Sequence, residues 1–575
     1  GDGGSIEING GKIAQLGVVN ANGKGTGSGG NININAQDGI VIANNSHTFA
    51  NGGGNGDGGM IRYFTFGQAA FYNGSLMEAK GGMDSGDGGF IEVSGIQQVL
   101  IDGLADTSAA NGDTGLFYID PTDIDIIAGG SNVNGAFVTG GGFSDWLPDT
   151  VGSSDIGTDL ITTLLASNNV TIDTAAANTG ADTGTLGVST DIDLNGGNGQ
   201  TLTLRSNNLM TISNDICDMG GGVTCLASPD DAVNLVFDTK TNASNGHISI
   251  GGIQINSGGG DITFTSDAGL TLGAGGSFIS QGGNISASTD TSIVLGGSTD
   301  LTTSGGTISL TSSQQSITLA ANTALASTSG VITLSANQDV TMVDTSSINS
   351  GSAALIVQST VGDSSIANLS STSTSNSAVI VTAGGTISDV DDVQAGPDIS
   401  AVNGGILLVA NTGINDSGGQ ALEVEAQKID VTNNTSGNVI IDSVNGTQYT
   451  DVDITGSFTA ISDVAGSDII FSGFTATSGL VFVRAKDSVT INDGVVIDSG
   501  GSQITLQATD GNATVTGLLT TKAATTNVIT ITAGGSILDG GDTNTDLSAV
   551  NGDITLTAAT GIVDIETDAA EGNFT

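Results

Sequence analysis

The sequence predicts an all-β chain coiled as a right-handed parallel β-helix. This is a β-solenoid with three short strands per rung of about 23 residues, and with one short helix near 159–166. Three observations carry that prediction. Ile262, Ile285, Ile308 and Ile332 recur at an almost constant step, each just after a glycine-rich turn of the text. Two further apolar series keep the same step: Leu272, Leu295, Leu319 and Met342, then Phe278, Leu301, Leu325 and Ile348. Apolar segments held in phase over four turns mark stacked repeats. Within each segment, apolar residues alternate with Ser, Thr, Asn and Asp, as in strands with one face inward.

A single rung cannot bury its own apolar face. Stacked rungs can, because each strand pairs with its equivalents above and below at ~4.8 Å. The Ile, Leu and Val series then become internal columns. Gly pairs are expected where the chain turns with positive φ and no Cβ. About 25 such rungs would make a rod on the order of 120 Å. An antiparallel sandwich array is the alternative, but the single-rung phasing lacks hairpin turn pairs.

Along the chain, residues 1–125 carry longer rungs. They are marked by Gly4-Ser5-Ile6, Gly30-Asn31-Ile32, Gly59-Met60-Ile61 and Gly89-Phe90-Ile91, each interval wider than the one before. Twelve of the 21 aromatic residues lie between Phe49 and Trp146, so a wider core filled by rings is expected there. Pro121 cannot donate to a ladder and predicts a turn. Residues 126–232 are less regular. Asp159-Leu-Ile-Thr-Thr-Leu-Leu-Ala166 puts Leu160, Ile161, Leu164 and Leu165 on one helical face, with a Ser-Ser-Asp lead-in extending the helix to three turns. Residues 233–575 are a regular array. It contains a duplication: Val379-Ile-Val-Thr-Ala-Gly-Gly-Thr-Ile387 matches Ile529-Thr-Ile-Thr-Ala-Gly-Gly-Ser-Ile537 at an offset of 150, and Ser400-Ala-Val-Asn-Gly-Gly-Ile406 matches Ser548-Ala-Val-Asn-Gly-Asp-Ile554 at 148.

Composition narrows the function classes. With 91 Gly and 4 Pro in 575 residues, neither collagen nor a proline-rich linker fits. Strict alternation with 37% apolar residues opposes disorder. A net charge of −49 repels nucleic acid and anionic lipid. No apolar run nears the ~20 residues needed to cross a membrane. Both termini are expected to be cuts within a longer polypeptide. Cys217 and Cys225 are eight positions apart around a glycine-rich spacer, which suits a small disulfide loop in an exported chain. A zinc site is not expected, since His47 and His247 are remote in sequence.

The chemistry of catalysis is not visible. Acidic pairs such as Asp123/Asp125 and Asp391/Asp392 are expected by chance among 59 acids. Arg62, Arg205 and Arg484 are the only arginines and fall on unrelated rungs. His47 and His247 are expected at the surface or in turns. The Gly-Gly steps precede strands, unlike nucleotide-binding loops. No catalytic residue, cofactor site or specific metal site is predicted. Like-placed Asp side chains on stacked rungs should repel unless cations, salt or rung variation relieve them, so diffuse Ca²⁺ binding is the one cofactor expectation.

One resemblance is specific. Gly88-Gly-Phe-Ile-Glu-Val-Ser-Gly95, Leu104-Ala-Asp-Thr-Ser-Ala-Ala110 and Gly115-Leu-Phe-Tyr-Ile-Asp-Pro-Thr-Asp-Ile-Asp-Ile126 resemble filamentous haemagglutinin-type exoproteins. So do the helix at 159–166 with Asn-Asn-Val-Thr-Ile172, and Gln200-Thr-Leu-Thr-Leu-Arg-Ser-Asn-Asn208. The likeness covers residues 1–216. It implies an internal fragment of a large adhesin of Gram-negative bacteria, exported by two-partner secretion through an outer-membrane pore. It also implies an extracellular or cell-surface location, with partners among surface or matrix glycans and proteins. Further copies of the chain, associating into fibres, are a separate partner expectation, and no direct membrane insertion is expected. Relatives carry sugar on Asn-x-Ser/Thr, which Asn44, Asn242, Asn434 and Asn512 fit.

The function expected from all this is a structural stalk or filament that mediates adhesion or biofilm matrix formation. The alternatives are the stalk of a contact-dependent toxin, a self-assembling extracellular fibre, and a polysaccharide-processing β-helix.

Overall fold

The computed structural model describes residues 1–129, 142–143, 147, 154–174, 184–239, 246–390, 396–416, 420–475, 477–521, 529–541, 543, 545–549 and 552–568. Trp146, Asn242, Asp391 and Asp392 lie outside them. The chain divides into two compact units, Gly1–Gly306 and Thr307–Thr575. Each is a parallel β-solenoid, with strands hydrogen-bonded to their equivalents one rung away.

In the first unit, strand Asn31–Ile42 lies between Ser5–Gln15 and the pair Met60–Thr65 and Gln68–Phe71. The register aligns Ile6, Ile32, Ile61 and Ile91 in one column. A smaller four-stranded sheet closes another side, with Val18–Asn20, His47–Phe49, Leu76–Glu78 and Leu104–Asp106 in that order. Both histidines therefore sit in strands, not turns. His47 begins His47–Phe49 and stacks on Phe49, while His247 begins His247–Ile250 beside Thr271.

The predicted columns form. Ile262 pairs with Ile285 and Leu272 with Leu295 in the first unit. Ile308 pairs with Ile332 and Leu319 with Met342 in the second. All eight side chains are at most 1% exposed. Burying each contributes about 1.5–3 kcal/mol relative to leaving it in water. Rings fill the wider sections: Tyr63, Phe71 and Phe117 are fully buried, whereas Phe66 is half exposed.

Glycine pairs serve two ends. Gly258-Gly259 and Gly500-Gly501 take positive φ at turns, as expected, while others do not. The steps Gly29-Gly30, Gly58-Gly59 and Gly88-Gly89 are not at positive φ. They permit close approach: a Cβ on Gly59 would overlap the Gly30 carbonyl, and one on Gly58 the Ala79 carbonyl. Positive φ also falls at tight turns such as Gly74 (79°), stacked on Asn45 (60°). Asn tolerates this region because its short side chain bonds locally.

The helix spans Thr158–Leu165 and buries Leu160, Ile161, Leu164 and Leu165 as expected. It is shorter than predicted. The Ser-Asp lead-in belongs to strand Ser154–Gly157, where Ile156 aligns with Ile126, so tertiary pairing overrides the capping signal. After the helix, Asn168 completes the edge of the small sheet. Its Nδ2 donates to Ala105 O (2.9 Å), and its Oδ1 accepts from Thr107 N (2.8 Å). An open strand edge is thereby occupied by a side chain. Pro121 follows strand Leu116–Asp120, where the chain bends as predicted.

Candidate functional site

The predicted site residues do not converge. The eight column residues form the interior of two units and leave no reactive group at a surface. Cys217 and Cys225 form a disulfide with Cα atoms 5.5 Å apart. It pins a loop beside strand Ile216–Cys217, away from any histidine contact in the described residues. Asp123 Oδ1 accepts from Thr185 N and Oγ1, which makes it a link between distant segments of the coil. Asn44, Asn434 and Asn512 are exposed.

What the sequence left as a problem, stacked acids, the structure solves with hydrogen bonds. Asp2 Oδ1 accepts from Ser28 N at 3.0 Å, and Ser28 Oγ from Asp57 N. Asp57 Oδ1 then accepts from Asp87 N at 2.9 Å, and Asp87 Oδ1 from Asp113 N at 2.8 Å. In the second unit, Asp339 serves Asp363 N and Asp363 serves Thr386 N. Each side chain satisfies an amide of the next rung. A charge-assisted bond of this kind is stronger than a neutral one and disperses the negative charge.

The three arginines also work between rungs. Arg62 Nε lies 2.9 Å from Glu92 Oε2. Arg205 bonds Asp173 and Asp238, on either side of it. Arg484 holds Asp463 with Nε and Nη2. Lys80 joins Glu78 and Asp106, each at 2.8 Å.

One acidic arrangement occurs twice in the second unit. Asp389 ends strand Ile387–Asp389, Asp398 precedes strand Ile399–Ala410, and Glu423 lies near the start of Leu422–Asn433. Asp539 ends Ser536–Asp539, Asp546 precedes Leu547–Ala549, and Glu566 precedes Thr567–Asp568. Asp398 N donates to Glu423 O (3.0 Å) while Glu423 N donates to Asp398 Oδ2 (2.9 Å). Asp546 N donates to Glu566 O (3.0 Å) while Glu566 N donates to Asp546 Oδ2 (3.0 Å). In each copy one oxygen from every member lies within 4.8 Å of the others. Burial pushes Asp398 well above the usual carboxylate range, reinforced by Asp389 and Glu423. Burial, with Asp539 and Glu566 behind it, lifts Asp546 to about 6. Sequence reasoning passed over these six residues. The usable signal was the duplication, whose offsets of 150 and 148 carry Asp389 onto Asp539 and Asp398 onto Asp546.

A third group, Asp218, Asp230 and Asp231, adjoins the disulfide loop. Its oxygens are engaged: Asp218 accepts from Gly220 N and Asp230 N, and Asp231 from Gly196 N. A groove of about 790 Å³ crosses the first rungs, floored by the Gly-Gly steps and edged by Asn31, Met60 and Phe90. None of its lining residues is titratable, so it offers shape and backbone polarity but no acid or base.

No protein-family model and no curated protein matches the chain. Among the described residues, no helix is long and apolar enough to cross a membrane.

Proposed function

We propose that the chain is a stalk segment of a secreted bacterial cell-surface adhesin, non-catalytic, exported through an outer-membrane pore and working outside the cell. One observation carries this reading. Charged side chains spread along the chain are engaged between neighbouring rungs. Asp57 serves Asp87, and Arg205 serves Asp173 and Asp238. A polymer of rungs that touch only their neighbours suits a spacer, because blocks can be duplicated without rebuilding a site. The duplicated block beginning at Val379 and Ile529 is such an event. The exoprotein-like motifs at 88–95 and 115–126 support the same reading, and a disulfide suits an oxidising compartment. In this reading the partners are surface glycans or proteins of a host or neighbouring cell, or further copies of the protein.

Beads coated with the 575-residue chain test adhesion, and electron microscopy of the free chain tests the stalk. The expected result is attachment to cell monolayers above albumin-coated beads, with elongated particles that shorten when residues 379–528 are deleted. Particles whose dimensions ignore that deletion sink the stalk. Beads that attach no better than albumin controls sink adhesion by this segment.

A further inference from the structure

The paired carboxylate corners have an unmet requirement. Asp546 is 1% exposed, and its Oδ1 is buried without a hydrogen-bond partner, while its Oδ2 takes the Glu566 amide. A buried carboxylate oxygen left bare is costly, and two further carboxylates beside it make it more so. No described Lys, Arg or His forms an ion pair with Asp539, Asp546 or Glu566. The spacing fits one hard cation: oxygens held at ~2.4 Å from Ca²⁺ stand up to ~4.8 Å apart. In both corners one oxygen from each of the three side chains lies inside that limit.

We propose that Asp539, Asp546 and Glu566 bind one divalent cation of the calcium class, and that Asp389, Asp398 and Glu423 form a second copy of the site. Three carboxylate oxygens supply part of a six- to eight-oxygen sphere. Glu566 is exposed, so water reaches its side and completes the sphere. A shared proton would neutralise one pair of acids and leave the third uncompensated. The recurrence argues against accident, because the same pair of bonds, one between backbone groups and one from a backbone amide to the aspartate, frames both corners. The Asp218 group shows the contrast, since amides already occupy both Asp218 oxygens. In each corner the two aspartates belong to one rung and the glutamate to the next. The ion would therefore clamp neighbouring rungs, as Arg205 does with a side chain. This inference stands apart from the adhesin reading.

The test is calorimetric titration of the calcium-stripped 575-residue chain with CaCl₂ at about 0.15 M salt, which suppresses diffuse binding. Two saturable sites are expected. Asp546→Asn and Asp398→Asn should each remove one, and the double variant both. Asp300→Asn, at an exposed aspartate outside the corners, should change nothing. Glu566→Gln alters an exposed side chain without touching the interior, and should also lose its site while melting as the parent does without calcium. Binding that never saturates overturns the proposal. So does an unchanged site number in folded Asp546→Asn and Glu566→Gln variants.

Discussion

Arg205 Nε donates to Asp238 Oδ2 at 2.9 Å, and the same guanidinium lies 3.2 Å from Asp173 Oδ2 on the other side. One side chain thus ties together three successive rungs of the first unit. Asp173 is nearly buried, with its side chain 3% exposed, and it also accepts from Tyr118 Oη at 2.7 Å. Arg205→Met keeps much of the packing and removes the charge. It should lower stability by about 1–2 kcal/mol: the buried Asp173 loses a partner but keeps the tyrosine. Asp238→Asn, at a more open carboxylate, should cost less than about 1 kcal/mol. Equal melting temperatures for parent and Arg205→Met would refute the clamp.

Two buried tyrosines should respond oppositely to loss of the hydroxyl. Tyr449 Oη is buried and has no hydrogen-bond partner, between Phe458 and Phe471. Tyr449→Phe removes an unsatisfied polar atom and should stabilise by about 1 kcal/mol. Tyr63 Oη bonds Thr48 Oγ1 at 2.7 Å and Gln15. Tyr63→Phe leaves those groups short and should destabilise by about 1–2 kcal/mol. Denaturant midpoints of the two variants check the sign.

Glycines at the Gly-Gly steps should be far less replaceable than glycines elsewhere. Gly59→Ala forces a methyl group onto the Gly30 carbonyl, so neighbouring rungs must part. A loss of about 1–3 kcal/mol is expected, the usual range for overpacking. Gly17 has no atom within 4 Å of its Cβ position, and Gly17→Ala should change stability little. Similar thermal shifts for the two variants would contradict the close-approach account.

Without calcium, the second unit should weaken as pH rises. Asp546 sits at about 6 in the folded chain against an ordinary 3.8, through burial and then the charges of Asp539 and Glu566. Asp398 is raised by burial, Asp389 and Glu423. A carboxyl raised by folding binds more protons when folded. Its contribution is complete below 3.8 and is lost as pH climbs through about 6. Melting curves in chelator should therefore fall between about pH 4 and pH 7, and Asp546→Asn should flatten part of that slope. Asp442, lifted to about 6 by burial with Asp463 and Glu423, keeps its share in the variant. A parental curve that rises over this interval would contradict the assignment.

The interior was legible because a near-constant repeat length puts Ile262 against Ile285 and Ile308 against Ile332 whatever the turns do. The helix face was legible from its own spacing, since Leu160, Ile161, Leu164 and Leu165 recur at the helical period. Its start was not, since Ser154 can cap a helix or join a strand, and only the pairing of Ile156 with Ile126 decides. Glycine was read in part, correctly at Gly258-Gly259 and not at Gly58-Gly59, because positive φ and close approach leave the same letter. The carboxylate corners were hidden by distance along the chain, as Asp398 and Glu423 meet only when one rung lies on the next. Their repetition within the duplicated block was the one trace they left in the sequence.

The Asp and Ser ladder has a direction. Asp2, Asp57, Asp87, Asp339 and Asp363 each accept an amide from a later rung. A chain that folds as it emerges, amino end first, meets each acceptor before the donor that needs it. Every finished rung is then a template with its polar contacts already aimed at the incoming segment. Assembly from the carboxyl end would instead bring donors into place ahead of their acceptors. In each of these five bonds the earlier rung accepts and the later rung donates.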